Sequence, residues 1–165
     1  CSAALEEPVR SLPLSHALPT LESQPAQATW PSVFSLRYLA DLPPCLDAIA
    51  DTMAERGFAA ADTFAMRLAL QEAVVNAIKH GHGYDPTRVV QVRCRVMEDQ
   101  VLAEVQDEGT GFDPGEVPDP TAPDNVGRTE GRGLFLMRNC MTWVKYDRGG
   151  SRVTLCKRRS PGEAP

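Results

Sequence analysis

The sequence predicts an α+β fold, a two-layer sandwich in which helices cover one face of a mostly antiparallel sheet. Three helical patterns and two hairpins support this prediction, and the helices and strands are partly segregated along the chain. Segregated elements favour an antiparallel sheet with helices on one side over a parallel sheet with alternating helices. A length of 165 residues suits a single domain with its own core.

The N-terminal part, residues 1–30, is predicted to be a flexible tail or linker, because it is rich in proline, serine and alanine and has no periodicity. The stretch SVFSLRYLA, residues 32–40, alternates as a strand does. A helix is expected to start at Pro43, since proline suits a first helical turn, and Gly57 is expected to close it.

A second and longer helix is predicted over residues 61–81, with Asp62 or Thr63 as its N-cap. Its sequence is mostly apolar, but several polar residues lie on nearly one side. The apolar positions expected to face the sheet are Phe64, Leu68, Val75 and Ile78.

The period of the pattern then changes to two, which is typical of strands. Residues 88–98 and 100–109 are predicted to form a hairpin around Asp99. The end of the chain is predicted to form a second hairpin, with its turn at Gly149 and Gly150.

Two further segments lie between these hairpins. Residues 112–130 are polar and rich in proline, and residues 131–144 have a helical pattern that opens on glycine. We therefore expect one folded domain over residues 31–159, followed by a short tail over 160–165.

Composition excludes several classes of function. A net charge of -5 gives no electrostatic reason to expect a direct nucleic-acid partner, and the apolar runs are too short to span a membrane. The five cysteines form no CxxC pair, so we expect reduced thiols in a cytoplasmic protein. The first residue, Cys1, is compatible with a fragment, a trimmed chain or a lipid-modified start.

The first group of candidate site residues lies on the long helix. Glu72 and Asn76 are four residues apart and share a face, and Lys79 and His80 continue the same side. An amide oxygen suits a Mg²⁺ shell beside phosphates, and a carboxylate one turn earlier could accept a proton from a hydroxyl. The alternative is a solvated helix face with an intrahelical contact between glutamate and lysine.

The second group, Asp107, Gly109 and Gly111, lies at the end of a predicted strand. A carboxylate there could accept a hydrogen bond from an exocyclic amine such as that of adenine, and glycines let the backbone approach a ligand closely. An ordinary turn is the alternative, because aspartate and glycine are common in turns.

The third group, Gly131, Arg132, Gly133 and Leu134, opens a predicted helix, with Arg128 just upstream. The free amides and positive dipole end of a helix start can bind phosphate. The alternative is a glycine-rich connection without a ligand.

Taken together and in this order, the three groups resemble the N, G1 and G2 boxes of the GHKL ATPase fold, also called the Bergerat fold. The matching patterns are ExxxN on the helix, DxGxG after the hairpin strand, and GxGL at the helix start. The resemblance covers about residues 32–158 and implies that 112–130 is the mobile lid over ATP.

Glu72 indicates which branch of the fold the chain resembles. Histidine kinases usually carry asparagine or histidine there, and they phosphorylate a histidine on a separate helical hairpin that this sequence lacks. Gyrase uses glutamate there but appends large transducer domains. The patterns EAxxNAxxHG and EGRGLFLM most closely resemble the bacterial anti-sigma-factor serine/threonine kinases.

This resemblance implies a role for each matching residue. Glu72 would be the catalytic base, Asn76 the Mg²⁺ ligand and Asp107 the adenine-binding residue. The other residues implied at the ATP site are Lys79, His80, Gly109, Gly111, Arg128, Gly131, Arg132, Gly133, Leu134 and Thr154. Arg128 is the first candidate for a phosphate-binding lid arginine, ahead of the one in the third group, and Thr154 would support the adenine pocket through water.

The function implied by the resemblance is an ATP-dependent kinase that also acts as an anti-sigma factor in transcription regulation. Its partners would be a STAS-domain anti-anti-sigma protein, phosphorylated on serine or threonine, and a sigma factor; the resemblance also allows a homodimer. Two alternatives stay open: an ATP-binding partner-switch module that transfers no phosphate, and an ATPase fragment of a larger signalling protein.

Overall fold

The structure is a computed structural model that describes residues 30–111, 113, 115–117, 121–122, 124 and 131–161. The predicted tail up to residue 29 and most of the predicted lid therefore lie outside the described residues. The helices and strands are β1 (Ser32–Leu36), α1 (Leu42–Glu55), α2 (Ala60–Asn76), β2 (Val90–Val96), β3 (Gln100–Gln106), α3 (Arg132–Cys140), β4 (Trp143–Asp147) and β5 (Arg152–Arg158).

The five strands form one sheet in the order β1-β2-β3-β5-β4, and every neighbouring pair is antiparallel. Both predicted hairpins are confirmed. The first is closed by a hydrogen bond of 2.8 Å from Met97 N to Gln100 O, and the second turns through Gly149 and Gly150, whose φ angles are 62° and 89°. The α+β prediction is confirmed as well.

The core lies between one face of this sheet and the helices. Alternate residues of the central strands, such as Val105 on β3 and Leu155 on β5, are buried on the helix side. The buried stripe of α2 consists of Met66, Ala69, Leu70, Ala73 and Val74. Alanines in this stripe allow the helix to approach the sheet closely, so α2 contributes small as well as large side chains to the core.

The predicted apolar face of α2 is therefore correct only in part. Ile78 is buried, and Val75 is partly buried and packs against the core. Leu68, in contrast, is only half-buried outside that core, and the Phe64 side chain is 65% exposed. The prediction counted large apolar residues and overlooked the alanines, which shifted the inferred face around the helix.

The ends of the helices follow the sequence only in part. Pro43 and Pro44 lie in the first turn of α1, and Gly57 follows that helix with a φ of 76°, as expected. The predicted cap of α2 is wrong, because its N-cap is Ala59 and no side chain caps it. Thr63 instead donates its hydroxyl hydrogen to Ala59 O.

Asp62 is buried in a contact with Ser160, which follows β5. Its carboxylate accepts hydrogen bonds from Ser160 N at 2.8 Å and from Ser160 Oγ at 2.6 Å, and Lys157 Nζ lies 3.5 Å away. Burial alone would raise the pKa of Asp62, but the two Ser160 hydrogen bonds and the Lys157 charge outweigh it and lower the pKa. The contacts of the folded domain thus extend to Ser160, one residue into the predicted C-terminal tail.

We expect Asp62→Ala to lower the free energy of unfolding by about 2–4 kcal/mol, since it removes two hydrogen bonds and a charge from a buried site. Asp51→Ala removes an exposed aspartate from α1 and is the matched control. A lowered pKa means that the stabilisation by Asp62 is present above the unfolded pKa, about 3.9, and is lost as pH falls through the folded value. Urea titrations at neutral pH and near pH 3 check this; a parent–variant difference that stays constant with pH would contradict it.

Candidate functional site

The polar row of the long helix lies where that helix changes its geometry. After α2 ends at Asn76, the chain continues as a π-helical turn, Ala77–Gly81, and His82 N donates to Ala77 O at 3.0 Å. Such wider turns are rare and occur frequently at functional sites. Glu72 and Asn76 are half-buried there, whereas Lys79 and His80 are exposed.

The start of α3 packs directly on Glu72 and Asn76. A Cβ atom at Gly133 would lie 2.5 Å from Glu72 Oε2 and 3.5 Å from Asn76 Nδ2, so a side chain there would force the Glu72 carboxylate to move. Gly131 is the N-cap of α3, with a φ of 81° that favours glycine. Leu134 is buried and anchors the first turn, while Arg132 is exposed.

This first turn brings free backbone N–H groups and the positive dipole end of α3 close to Glu72. A glycine-rich helix start of this kind suits the oxygen atoms of a phosphate group. The carboxylate would lie beside such a group, where it could take up a proton.

Asp107 follows β3 directly and is held by the turn after it. Its Oδ1 accepts a hydrogen bond of 2.7 Å from Gly109 N, and its own backbone N–H donates to Ser151 O at 3.0 Å. Burial raises the pKa of this carboxyl, although the Gly109 hydrogen bond and the charges of His82 and Arg88 lower it in part. The side chain is thus a half-buried acceptor on a fixed turn.

Asp107 opens onto a cleft between the helix layer and the sheet. The cleft is lined by Ala73, Asn76, Ala77, His80, Gly81, Val105, Asp107, Gly111, Tyr146, Gly150, Ser151 and Val153. Ala73, Ala77 and two valines give it an apolar wall. Burial raises the pKa of Tyr146, on the same wall, to about 12. An apolar wall with a carboxylate beside it suits a heteroaromatic base that carries an amine.

The structure thus brings together most of the residues that the sequence singled out. Asn76, His80, Asp107 and Gly111 line the cleft, and Gly109 lies beneath the Asp107 carboxylate. Glu72 meets Gly133 at its edge, as described above. Lys79 and Thr154 do not line the cleft, and Arg128 lies outside the described residues.

Thr154 is not brought to the cleft, which corrects the expectation that it supports an adenine pocket. Its neighbour Val153 lines the cleft, and successive residues of a strand point to opposite faces of the sheet. Thr154 therefore lies on the face away from the helices, in register with Glu104 of β3.

Sequence reasoning missed several residues of the cleft wall. Tyr146 and Val153 are register partners on β4 and β5, and Ser151 precedes β5. The alternation of the second hairpin would have placed Tyr146 and Val153 on the same face, if the orientation of that face had been known. Gly81 was also missed, although it ends the pattern EAxxNAxxHG.

The residues that the structure describes at this site offer one donor well suited to Mg²⁺. Within the part of the chain that the structure describes, no three or more His, Cys, Asp or Glu side chains are grouped so that they could hold a metal. The Asn76 amide oxygen is a suitable single donor for Mg²⁺, which commonly takes one or two protein ligands and completes its shell with phosphates and water. The donor set therefore fits a Mg²⁺ ion that arrives with a nucleotide.

Among the described helices, none is both long and apolar enough to cross a membrane.

Comparison with known proteins decides the family. The sequence profile of the histidine kinase-like ATPase domain matches residues 37–157, most of the chain and nearly all of its folded part. The chain belongs to this family. The resemblance inferred from the three groups of site residues is thereby confirmed at the level of the family.

Several relatives of this histidine kinase-like ATPase domain carry names that describe a function. Serine-protein kinase RsbW of Listeria innocua is 33% identical over 96 residues, which are 53% of this chain and 61% of the relative. The protein of that name from Bacillus subtilis is 30% identical over 99 residues, 56% of this chain and 62% of the relative. Anti-sigma F factor of Clostridium novyi is 23% identical over 128 residues, 73% and 78% of the two chains.

The matches to the RsbW proteins thus span less than two thirds of the length of those relatives.

Proposed function

We propose that this ATPase domain is an ATP-dependent protein serine/threonine kinase that also acts as an anti-sigma factor. The observation that carries the proposal is the position of Glu72, whose Oε2 lies against Gly133 at the start of α3, beside Asn76. A carboxylate at a phosphate-binding helix start can serve as the base for an attacking hydroxyl. The names of the relatives, serine-protein kinase and anti-sigma factor, support the same assignment.

In this proposal the adenine of ATP occupies the cleft, with its amine donating to Asp107. The phosphates lie at the first turn of α3, where Arg132 is exposed and free to approach them. Arg128 would add a second positive charge from the lid. Asn76 would hold Mg²⁺, which when bound screens the phosphate charges.

Glu72 then accepts the proton of an acceptor hydroxyl while the hydroxyl oxygen forms a bond to the γ-phosphorus. The bond between that phosphorus and the β–γ bridging oxygen breaks, and ADP leaves with the electron pair. Phosphoryl transfer depends mainly on positioning and charge neutralisation. A carboxylate beside the N–H groups of a helix start, with the exposed Arg132 in the same turn, is suited to this task.

The acceptor would be a serine or threonine of a STAS-domain anti-anti-sigma protein, and a sigma factor would be the second partner, both in the cytoplasm. Capture of interacting proteins from the source cell, followed by incubation with Mg²⁺ and γ-labelled ATP, tests this proposal. We expect label on a co-purifying STAS-domain protein. Stable capture with ATP bound but no label transferred would favour a partner switch without chemistry; release of labelled phosphate alone would favour an ATPase fragment.

Asp107 should increase the affinity for adenine while lowering the stability of the nucleotide-free fold. We expect Asp107→Asn to weaken ATP binding roughly tenfold or more, because a hydrogen bond to a charged group contributes about 1.5–3 kcal/mol. The nucleotide-free variant should melt at the same or a higher temperature, because the raised pKa shows that the buried charge is unfavourable and because asparagine can still accept from Gly109 N. Calorimetry and thermal melting check both effects, and unchanged ATP affinity would contradict the assignment.

A further inference from the structure

The backbones of Gly81 and Gly109 pack closely against each other and against the Asp107 carboxylate. A Cβ atom at Gly81 would overlap Asp107 Cγ and lie 2.6 Å from both of its carboxylate oxygens. A Cβ atom at Gly109 would overlap Gly81 O and lie 2.8 Å from Asp107 Oδ1. Atoms cannot come this close without a shift, so the carboxylate rests on the bare backbone of the π-helical turn.

Backbone conformation does not explain why Gly81 is a glycine. Its φ lies outside the left-handed range, so an L-residue could adopt the same backbone without strain. Gly83 shows the reverse, with a φ of 61° and no atom within 4 Å of a Cβ placed there. The three atoms nearest to a Cβ at position 81 all belong to the Asp107 carboxylate, so this contact is what favours glycine there.

We infer that Gly81 is a positioning residue that determines where the Asp107 carboxylate stands in the cleft, and with it the selectivity for a 6-aminopurine. This inference rests on the proposed binding of ATP. A methyl group at position 81 displaces the carboxylate, whose Oδ1 also accepts the 2.7 Å hydrogen bond from Gly109 N. The displaced oxygen no longer reaches the amine within hydrogen-bond distance, about 3.2 Å at most for N–H···O.

Gly81→Ala tests this inference, with affinities measured for ATP and for purine riboside triphosphate, which lacks the 6-amine. We expect Gly81→Ala to weaken ATP binding roughly tenfold, as for a lost hydrogen bond to a charged group. Binding of the analogue should change little, so that the ratio of the two affinities falls. Gly83→Ala is the matched control: it should lower the melting temperature through backbone strain and leave that ratio unchanged.

A double-mutant cycle with Asp107→Ala separates positioning from a general disturbance. When the carboxylate is absent, Gly81→Ala has nothing to displace, so it should change neither ATP affinity nor the melting temperature of the Asp107→Ala protein. Parental ATP affinity in the single variant, or an equal loss in both backgrounds, overturns the inference. If the parent itself binds no ATP, the proposed function fails first, and that failure is seen before any variant is made.

Discussion

Glu72→Gln is expected to bind ATP with near-parental affinity and to transfer phosphate some 10²–10⁴-fold more slowly, the usual contribution of a general base. Glutamine keeps the size and most of the hydrogen bonding of Glu72 but cannot take up the proton of the acceptor hydroxyl. The Glu72 carboxylate lies against Gly133 at the edge of the cleft. The change does not alter Asp107 or the cleft walls, which would hold the adenine ring. Isothermal titration with ATP and single-turnover transfer to the partner separate the two effects.

Glu55→Gln is the matched control for that experiment, because Glu55 is an exposed glutamate at the end of α1. It should transfer phosphate at the parental rate. A Glu72→Gln protein that also transfers phosphate at the parental rate would remove Glu72 from the chemistry and favour a solvated helix face.

Asn76→Ala is expected to weaken Mg²⁺-dependent ATP binding roughly 30- to 150-fold, which corresponds to about 2–3 kcal/mol for the loss of a charge-assisted contact. The loss should depend on the metal, so affinities measured in Mg²⁺ and in EDTA should converge in the variant. The variant should still fold, because Asn76 is only half-buried and lines the cleft instead of packing in the core.

Asn139→Ala removes an exposed asparagine from α3 that does not line the cleft, and it serves as the control for Asn76→Ala. It should leave the effect of Mg²⁺ intact. A large fall in the melting temperature of nucleotide-free Asn76→Ala would instead identify Asn76 as a structural strut.

The elements of the fold could be predicted because their signals are local. The periods of the strands and helices, the prolines of α1 and the glycines of the last turn each depend on neighbours within a few residues. The prediction of a cap for α2 failed because the deciding contact is not local. Aspartate is a common N-cap residue, but the Asp62 carboxylate is bound by Ser160, 98 residues further along the chain.

The site was predictable to the extent that its chemistry is carried by short patterns. Glu72, Asn76, Asp107 and Gly133 could be singled out because each belongs to a pattern of fixed spacing. The cleft wall could not, since Tyr146 reaches it through the pairing of β4 with β5.

Thr154 shows the same limit on a smaller scale. A residue of a strand can be assigned to a site only when it is known which face of the sheet the residue points to. A shift of one residue moves a side chain from the cleft to the opposite face of the sheet.

The most direct test of the proposed kinase activity is the chemical linkage of the transferred phosphate. The parent protein, its co-purified STAS-domain partner, Mg²⁺ and γ-labelled ATP are incubated, and the product is tested for acid and alkali stability before phosphoamino-acid analysis. We predict an acid-stable phosphoserine or phosphothreonine on the partner. Acid-labile phosphohistidine as the main product would contradict a serine/threonine kinase and assign the chain to the histidine-kinase branch.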